Sequence, residues 1–144
     1  MKKVIFALAV ILPFMSCKKS APVTTGCEVN VTNIAGVYTI SSIKYKSSSS
    51  AAETDLFALM QDCQKDDTYE LKADGTIVIS EAANNCGLPP LPGTPTNWVL
   101  TDNNTRLEMG DYLTIVSFDC AKLVVEQKNV MADGDSKTIT YEKQ

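Results

Sequence analysis

The sequence predicts an all-β domain, an eight-stranded up-and-down antiparallel β-barrel with one short helix in its first connection. Three observations lead to this fold class. Apolar side chains alternate with polar ones from residue 34 onward, and turn-forming residues separate the alternating runs. The third observation is that the positions of four cysteines fit a chain that reverses direction at each turn.

Eight short segments are predicted to be strands, and all but residues 112–118 carry the period-two pattern. They are centred on Tyr38/Ile40, Tyr69/Leu71, Ile77/Ile79, Trp98/Leu100, Leu107/Met109, residues 112–118, Leu123/Val125 and Ile139/Tyr141. In the first segment the apolar phase slips to Ile43 and Tyr45, which predicts a β-bulge near Ser41 and Ser42. Residues 112–118 are apolar in both phases, so we expect a strand that is covered on both sides.

Turn formers lie between most of these segments and predict that successive strands are joined by tight turns. They are Asp74-Gly75, Asp102-Asn103-Asn104, Gly110-Asp111, Asp119-Cys120 and Asp133-Gly134-Asp135. Eight strands connected in this way close readily into a barrel, because closure removes the exposed strand edges.

Two connections are longer than a tight turn. In the first, residues 47–65, Thr54 is predicted to cap a short helix. One side of this helix carries Leu56, Phe57, Met60 and Cys63. The second connection, residues 84–97, contains GLPPLPGTP, whose prolines exclude both a helix and a central strand.

The N-terminus has the features of an export signal. Lysines at positions 2 and 3 precede the apolar run 4–14, which has the length of a signal-peptide core and is too short to span a bilayer. Ser16 and Cys17 follow this run. The string FMSC resembles the cleavage site of a bacterial lipoprotein, in which the cysteine becomes the lipidated N-terminus.

This resemblance divides the chain into three parts: a signal peptide at 1–16, a lipidated tether at 17–32 and the barrel domain at 33–144. The alternative is an ordinary secretory signal that is cut near Ser20. Lys18 follows the cysteine where an Asp would retain some lipoproteins in the inner membrane. We therefore expect a protein of the cell envelope that is lipid-anchored in the outer membrane.

Four cysteines remain after the anchor: Cys27, Cys63, Cys86 and Cys120. An even number in an exported chain predicts two disulfides, with four free thiols as the alternative. A hairpin that turns at 74–75 brings Cys63 and Cys86 together where its two strands end. Alternation of the strand ends places Cys27 and Cys120 at the opposite end of the barrel. The predicted pairs are therefore Cys63–Cys86 and Cys27–Cys120.

The charge and composition of the chain indicate which classes of partner it can bind. Removal of residues 1–16 takes away two of the 13 basic residues, which leaves 11 against 17 acidic residues and a net charge of −6. An acidic surface disfavours nucleic acid and anionic lipid head groups. The chain has no histidine and no C-x₂-C pair, so we predict no metal site and no cofactor. We expect a monomer.

Several stretches resemble the lipocalin-like lipoproteins of Gram-negative bacteria. Gly36-Val37-Tyr38 stands where lipocalins place Gly-x-Trp at the start of the first strand. The pattern of the family continues at residues 63–79, Cys86, 97–103 and 138–144. The resemblance covers about residues 33–144 and implies a lipocalin/calycin-like barrel that can hold a ligand cavity, without naming a ligand.

The predicted function is therefore binding of a small apolar ligand at the mouth or cavity of a lipid-anchored barrel. The candidate ligand-binding residues are Trp98, Leu56, Phe57, Met60, Leu88 and Leu91, and the alternative for each is ordinary loop or core packing. A second hypothesis is a solid-core scaffold of the cell envelope that binds a protein or a glycan.

Enzymatic activity is not expected. The chain has no histidine for a Ser-His triad, no GxSxG, no phosphate-binding Gly-rich loop and no zinc motif. Asp66 and Asp67 are neighbours in a predicted strand, so their side chains are expected to point to opposite faces. Residues 133–135 lack the further carboxylates of an EF-hand and are predicted to be a hairpin turn.

Overall fold

The computed structural model describes residues 27–81, 86–87 and 95–144. This part of the chain is all-β, and its antiparallel strands form one sheet that curls into a half-barrel. The strands are β1 (Gly36–Lys46), β2 (Thr54–Asp55), β3 (Thr68–Leu71), β4 (Ile77–Ser80), β5 (Val99–Thr101), β6 (Arg106–Met109), β7 (Asp111–Phe118), β8 (Lys122–Lys128) and β9 (Ser136–Lys143). The helical segments are α1 (Val31–Ile34), a 3-10 helix (Phe57–Leu59) and α2 (Asp62–Lys65).

Eight of the strands lie in the order β4-β3-β1-β9-β8-β7-β6-β5, and β2 pairs with β1 beside this path. The first and last of them in the chain, β1 and β9, pair along most of their lengths. Within the described residues, the outer edges of the sheet meet at one bridge between Thr76 and Asn97, which lie just before β4 and β5. These two strands have four and three residues, so few backbone groups can pair across this seam. The predicted strands are all present, but the sheet forms a half-barrel with a seam.

A bulge in β1 explains the phase slip of its apolar residues. The register between β1 and β9 shifts between Ile40 and Ser42, as the sequence predicts. Before the bulge Tyr38 and Ile40 are buried, and after it Ile43 packs against the core. The strand therefore presents apolar side chains to the concave face on both sides of the bulge.

In β7 our expectation of a strand covered on both sides is wrong. The register between β7 and β8 shifts within residues 115–117. Leu113 and Phe118 are buried, whereas Tyr112 and Val116 are 69% and 44% exposed. The bulge brings apolar residues of both sequence phases to the core, and no second layer covers the strand in the described part of the structure.

The helix predicted for residues 54–63 is not confirmed. Thr54 lies in β2 instead of at a helix N-cap, and the 3-10 helix and α2 follow as separate segments. β3 covers only residues 36–39 of β1, so the edge of β1 beyond them needs other partners. β2 pairs there, and the Leu56 amide donates to the Ile43 carbonyl (2.9 Å). Backbone pairing with this edge therefore stabilises the segment more than the helix that its apolar period predicts.

Both predicted disulfides are present. Cys27–Cys120 joins the segment before α1 to the β7–β8 turn, with 5.4 Å between the Cα atoms. Cys63–Cys86 joins α2 to the segment after β4, with 5.3 Å between the Cα atoms. The two disulfides lie at opposite ends of the sheet, as the alternation of strand directions predicts.

The two ends of the half-barrel differ. The closed end is defined here by Ile34, Tyr38, Phe118 and Leu123, which are all at most 1% exposed. The Tyr38 hydroxyl donates to the Ile34 carbonyl (2.6 Å), so α1 is held against the start of β1. The mouth is the other end, where β1 and β8 end, β9 begins and the turn 129–135 connects β8 to β9.

Candidate functional site

The concave face of the half-barrel holds an open cavity of about 440 Å³, called the central cavity below. Alternate residues of a strand point to the same face, and on these strands the inward positions are mainly apolar. Five isoleucines from β1, β4 and β9 contribute to the wall, namely Ile40, Ile43, Ile77, Ile79 and Ile139. Met109, Leu113 and Pro95 line the other side.

Two tyrosines form part of the cavity wall. The rings of Tyr69 and Tyr141 pack edge to face, with 5.7 Å between their centroids. Burial raises the pKa of Tyr141 well above its ordinary value. Burial, and then the charge of Asp67, raise the pKa of Tyr69. Both phenols are therefore neutral at physiological pH, and this part of the wall carries no charge.

A row of three polar residues crosses the sheet at the mouth, and we call it the polar row. Tyr45 of β1 lies opposite Lys137 of β9, and Lys137 lies opposite Gln127 of β8. Lys137 and Gln127 line the central cavity. The row next to it, on the side of the closed end, consists of Ile43, Ile139 and Val125. The cavity is thus apolar in its depth and polar at its mouth.

The polar groups at the mouth differ in their partners. The Gln127 Oε1 atom is buried and accepts no hydrogen bond in the described part of the chain. Lys137 is half-buried and forms no ion pair with any described residue. Asp111 also lines the cavity, but it is exposed. Lys137 is therefore a cation at the mouth that no described carboxylate neutralises, whereas the Gln127 Oε1 atom has almost no accessible surface.

A buried carboxylate organises the turn beside the polar row. Asp135 is 2% exposed and accepts hydrogen bonds from the amides of residues 130 (2.6 Å), 131 (2.9 Å) and 132 (3.0 Å). The Tyr45 hydroxyl donates to the same carboxylate (2.9 Å). Desolvation raises the pKa of Asp135, but the hydrogen bonds outweigh it and the pKa is lowered. The pKa of Tyr45 is raised, chiefly by its hydrogen bond to Asp135. Residues 133–135 thus form the predicted hairpin turn.

Trp98, the first candidate ligand-binding residue, lies away from the central cavity. Its side chain is 3% exposed, and its Nε1 donates to the Lys72 carbonyl (2.8 Å). Its backbone amide donates to the Gly75 carbonyl (2.7 Å). The sequence predicts Trp98 near the mouth, but pairing across the seam places it at the β3–β4 turn. It lines a separate cleft of about 280 Å³ with Val99 and Tyr112.

The other candidates lie in the two long connections. Leu56, Phe57 and Met60 are half-buried, and Phe57 packs against the core with the Lys65 Nζ 5.8 Å from its ring centroid. None of the three lines the central cavity as described. The remaining candidates, Leu88 and Leu91, lie outside the described residues, as does Cys17, the predicted lipidation site.

The sequence reading missed Gln127 and Lys137. A signal for both was present, because Gln127 continues the inward alternation of Leu123 and Val125, and Lys137 precedes Ile139 by two residues. A polar residue at an inward position near a strand end marks the mouth of a barrel. Extended to the ends of β8 and β9, the same alternation places both side chains on the inward face.

The described residues offer few groups for catalysis or for metal binding. Asp66 and Asp67 lie between α2 and β3 and not within a strand, so the expected opposite orientation has no basis. Burial, followed by the charges of Glu81 and Asp66, raises the pKa of Asp67. Within 27–81, 86–87 and 95–144, no group of three or more Cys, Asp or Glu side chains is placed to hold a metal.

The described segments contain no helix that is long and apolar enough to cross a membrane. No protein-family model, curated protein or solved structure matches this chain.

Proposed function

We propose that this protein is a non-enzymatic, lipocalin-like, lipid-anchored binding protein that holds a small apolar molecule in its central cavity. The observation that carries the proposal is the cavity itself. Its volume of about 440 Å³ lies within the range of about 300–1,000 Å³ that is typical of ligand pockets. At about 30 Å³ per non-hydrogen atom, it holds a molecule of roughly 15 such atoms.

A titration with small apolar compounds tests this proposal. The Cys17→Ala chain, which cannot be lipidated, is titrated while the methyl NMR signals of Ile79 and Ile139 and the thermal midpoint are followed. We expect saturable shifts of these signals and a rise of the midpoint. Failure of every compound of suitable size to shift either signal would contradict the proposal.

A matched pair of variants locates the binding site. Ile79→Trp places a large side chain in the cavity, where Ile79 lines the wall, and is expected to abolish binding. Val116→Trp adds the same side chain at an exposed position of β7 and is expected to leave binding unchanged. Unchanged binding by Ile79→Trp would place the ligand outside the central cavity.

The proposed lipid anchor has a geometric consequence. Cys17 is followed after ten residues by Cys27, which the disulfide with Cys120 holds at the closed end. Ten residues span at most about 36 Å, so the anchor would keep the closed end within that distance of the membrane surface. Cys17→Ala is expected to release the protein in a membrane fractionation, and its retention would contradict the lipid anchor.

A second candidate function is supported by the convex face. Val99, Tyr112 and Val116 are 50%, 69% and 44% exposed, and such exposed apolar side chains occur at protein interfaces. A scaffold that binds an envelope protein through this face would lose its partner in Tyr112→Ser and would not respond to apolar compounds. Cross-linking in intact cells measures whether Tyr112→Ser and Ile79→Trp still contact a protein partner; on this second hypothesis Tyr112→Ser loses the contact and Ile79→Trp keeps it.

A further inference from the structure

The wall of the central cavity contains a basic residue, and it lies at the mouth. Of the described residues that line the cavity, Lys137 is the only lysine or arginine. The next inward residue of β9 is Ile139, which pairs with Ile43 of β1, so the wall is apolar immediately below Lys137. The ammonium group therefore belongs to the place where the apolar depth of the cavity ends.

Lys137 differs from the other basic side chains that the structure describes. Seven of them lie at most 3.8 Å from a carboxylate oxygen, namely Lys44, Lys46, Lys65, Lys72, Arg106, Lys122 and Lys128. Lys143 donates to the Asn33 carbonyl (2.7 Å). Lys137 has no such partner among the described residues. The described fold thus provides a partner for each basic side chain except the one in the cavity wall.

The two acidic residues near the mouth do not neutralise Lys137. Asp135 precedes it by two residues, but its carboxylate already accepts hydrogen bonds from three turn amides and from the Tyr45 hydroxyl. Asp111 lines the cavity from β7, and β8 lies between β7 and β9. Neighbouring strands are about 4.8 Å apart, so the backbones of β7 and β9 are about 10 Å apart. A partner for Lys137 has to come from outside the described residues.

The charge of Lys137 selects among the head groups that an apolar ligand can carry. An ammonium group would be repelled, whereas a carboxylate would form a charge-assisted hydrogen bond, which is stronger than one between neutral groups. The acidic net charge of the chain opposes an anion at long range, but salt screens charges beyond about 8 Å. The neutral phenols of Tyr69 and Tyr141 offer no countercharge deeper in the cavity, so a charged head group is favoured only at the mouth.

We infer that the ligand of the central cavity is an apolar molecule with one acidic head group, which pairs with the Lys137 Nζ at the mouth. This inference rests on the proposed function and adds the chemical class of the ligand. The apolar body lies against the isoleucines of the wall. The whole molecule has roughly 15 non-hydrogen atoms, a size that a carboxylate on a chain of about ten carbon atoms approaches.

Three probes of the same chain length test the head group: decanoate, 1-decanol and decylammonium. Calorimetric titration of the Cys17→Ala chain, with each probe below its micelle concentration, is expected to show about tenfold tighter binding of decanoate than of 1-decanol. Decylammonium is expected to bind most weakly. Binding of decanoate that is no tighter than that of 1-decanol, or tightest binding of decylammonium, would overturn the inference while leaving the proposed function in place. Binding of none of the three would overturn both.

Matched variants assign the preference to Lys137. Lys137→Met is expected to abolish the tenfold preference for decanoate while it keeps the affinity for 1-decanol, which also shows that the fold is intact. Lys137→Glu is expected to reverse the order, so that decylammonium binds more tightly than decanoate. Lys128→Met is the control, because it removes the same charge from a side chain that is 69% exposed and pairs with Glu126 (3.6 Å). Persistence of the preference in Lys137→Met, or its loss in Lys128→Met, would overturn the inference.

Discussion

The closed end and the mouth are built from the same strands, yet one is packed solid and the other holds a cavity. At the closed end Tyr38 of β1 and Leu123 of β8 are at most 1% exposed, and Ile34 of α1 completes the packing. At the mouth, Gln127 of β8 and Lys137 of β9 line an open space. The difference shows that the strands alone do not decide whether the interior is filled.

The largest effect on stability is expected from removal of a disulfide, and it differs between the two disulfides. Replacement of Cys27 and Cys120 by Ala opens a loop with a sequence separation of 93, which lowers the free energy of unfolding by about 4.5 kcal/mol in the chain-entropy model. Replacement of Cys63 and Cys86 opens a separation of 23 and lowers it by about 3.5 kcal/mol. Urea denaturation measures both variants, and a larger loss at the mouth disulfide would reverse the comparison.

Truncation of apolar side chains compares the packing of the two ends. Leu123→Ala removes a fully buried side chain at the closed end and is expected to cost about 4 kcal/mol of stability. Ile79→Ala removes a side chain that borders the central cavity, where fewer atoms are in contact with it, and is expected to cost about 2 kcal/mol. Equal losses in thermal denaturation would mean that the mouth is packed as well as the closed end.

Ligand binding is expected to stabilise the mouth more than the closed end. With a small apolar compound that binds the cavity, at a free concentration 100 times its Kd, the free energy of unfolding rises by about 2.7 kcal/mol. Hydrogen exchange is expected to slow most at the β8–β9 turn beside the polar row, and little around Tyr38. Protection confined to the closed end would place the ligand elsewhere.

A fall in pH is expected to destabilise the mouth because Asp135 becomes protonated. Its folded-state pKa is lowered, so it contributes stability above its unfolded pKa of about 3.9, and this contribution is lost as the pH falls through the folded pKa. Asp135→Asn is expected to be less stable than the wild type at neutral pH, and the difference is expected to shrink below about pH 4. A difference that does not vary with pH would show that Asp135 stabilises the turn without its charge.

Alkali is expected to weaken the closed end through Tyr38, with the smallest effect of the five. Burial raises the pKa of Tyr38 to about 12, so its contribution is complete below the unfolded pKa of about 10 and is lost as the pH rises from there to about 12. Tyr38→Phe is expected to be less sensitive to this rise in thermal denaturation. Identical alkaline profiles of the two proteins would contradict the assignment.

Local patterns predicted much of the fold. The alternation of apolar residues located eight strands, the slip between Ile40 and Ile43 located the bulge, and the direction changes at each turn paired the cysteines. These features depend on residues that are near in sequence, or on simple counting of strand ends. The sequence predicts the candidate site only as a general location at the mouth, because five of its six candidate residues lie in the two long connections and the sixth, Trp98, lies away from the central cavity.

The sequence by itself determined the all-β class, the strand positions, both disulfides and the turn at Asp135. Only the tertiary structure decided the seam between β4 and β5, the pairing of β2 with the edge of β1, the position of Trp98 at the β3–β4 turn and the meeting of Gln127 with Lys137. The physical reason is that period-two alternation tells which face a side chain takes. It does not tell how far neighbouring strands slide past each other, and that offset places residues distant in sequence side by side.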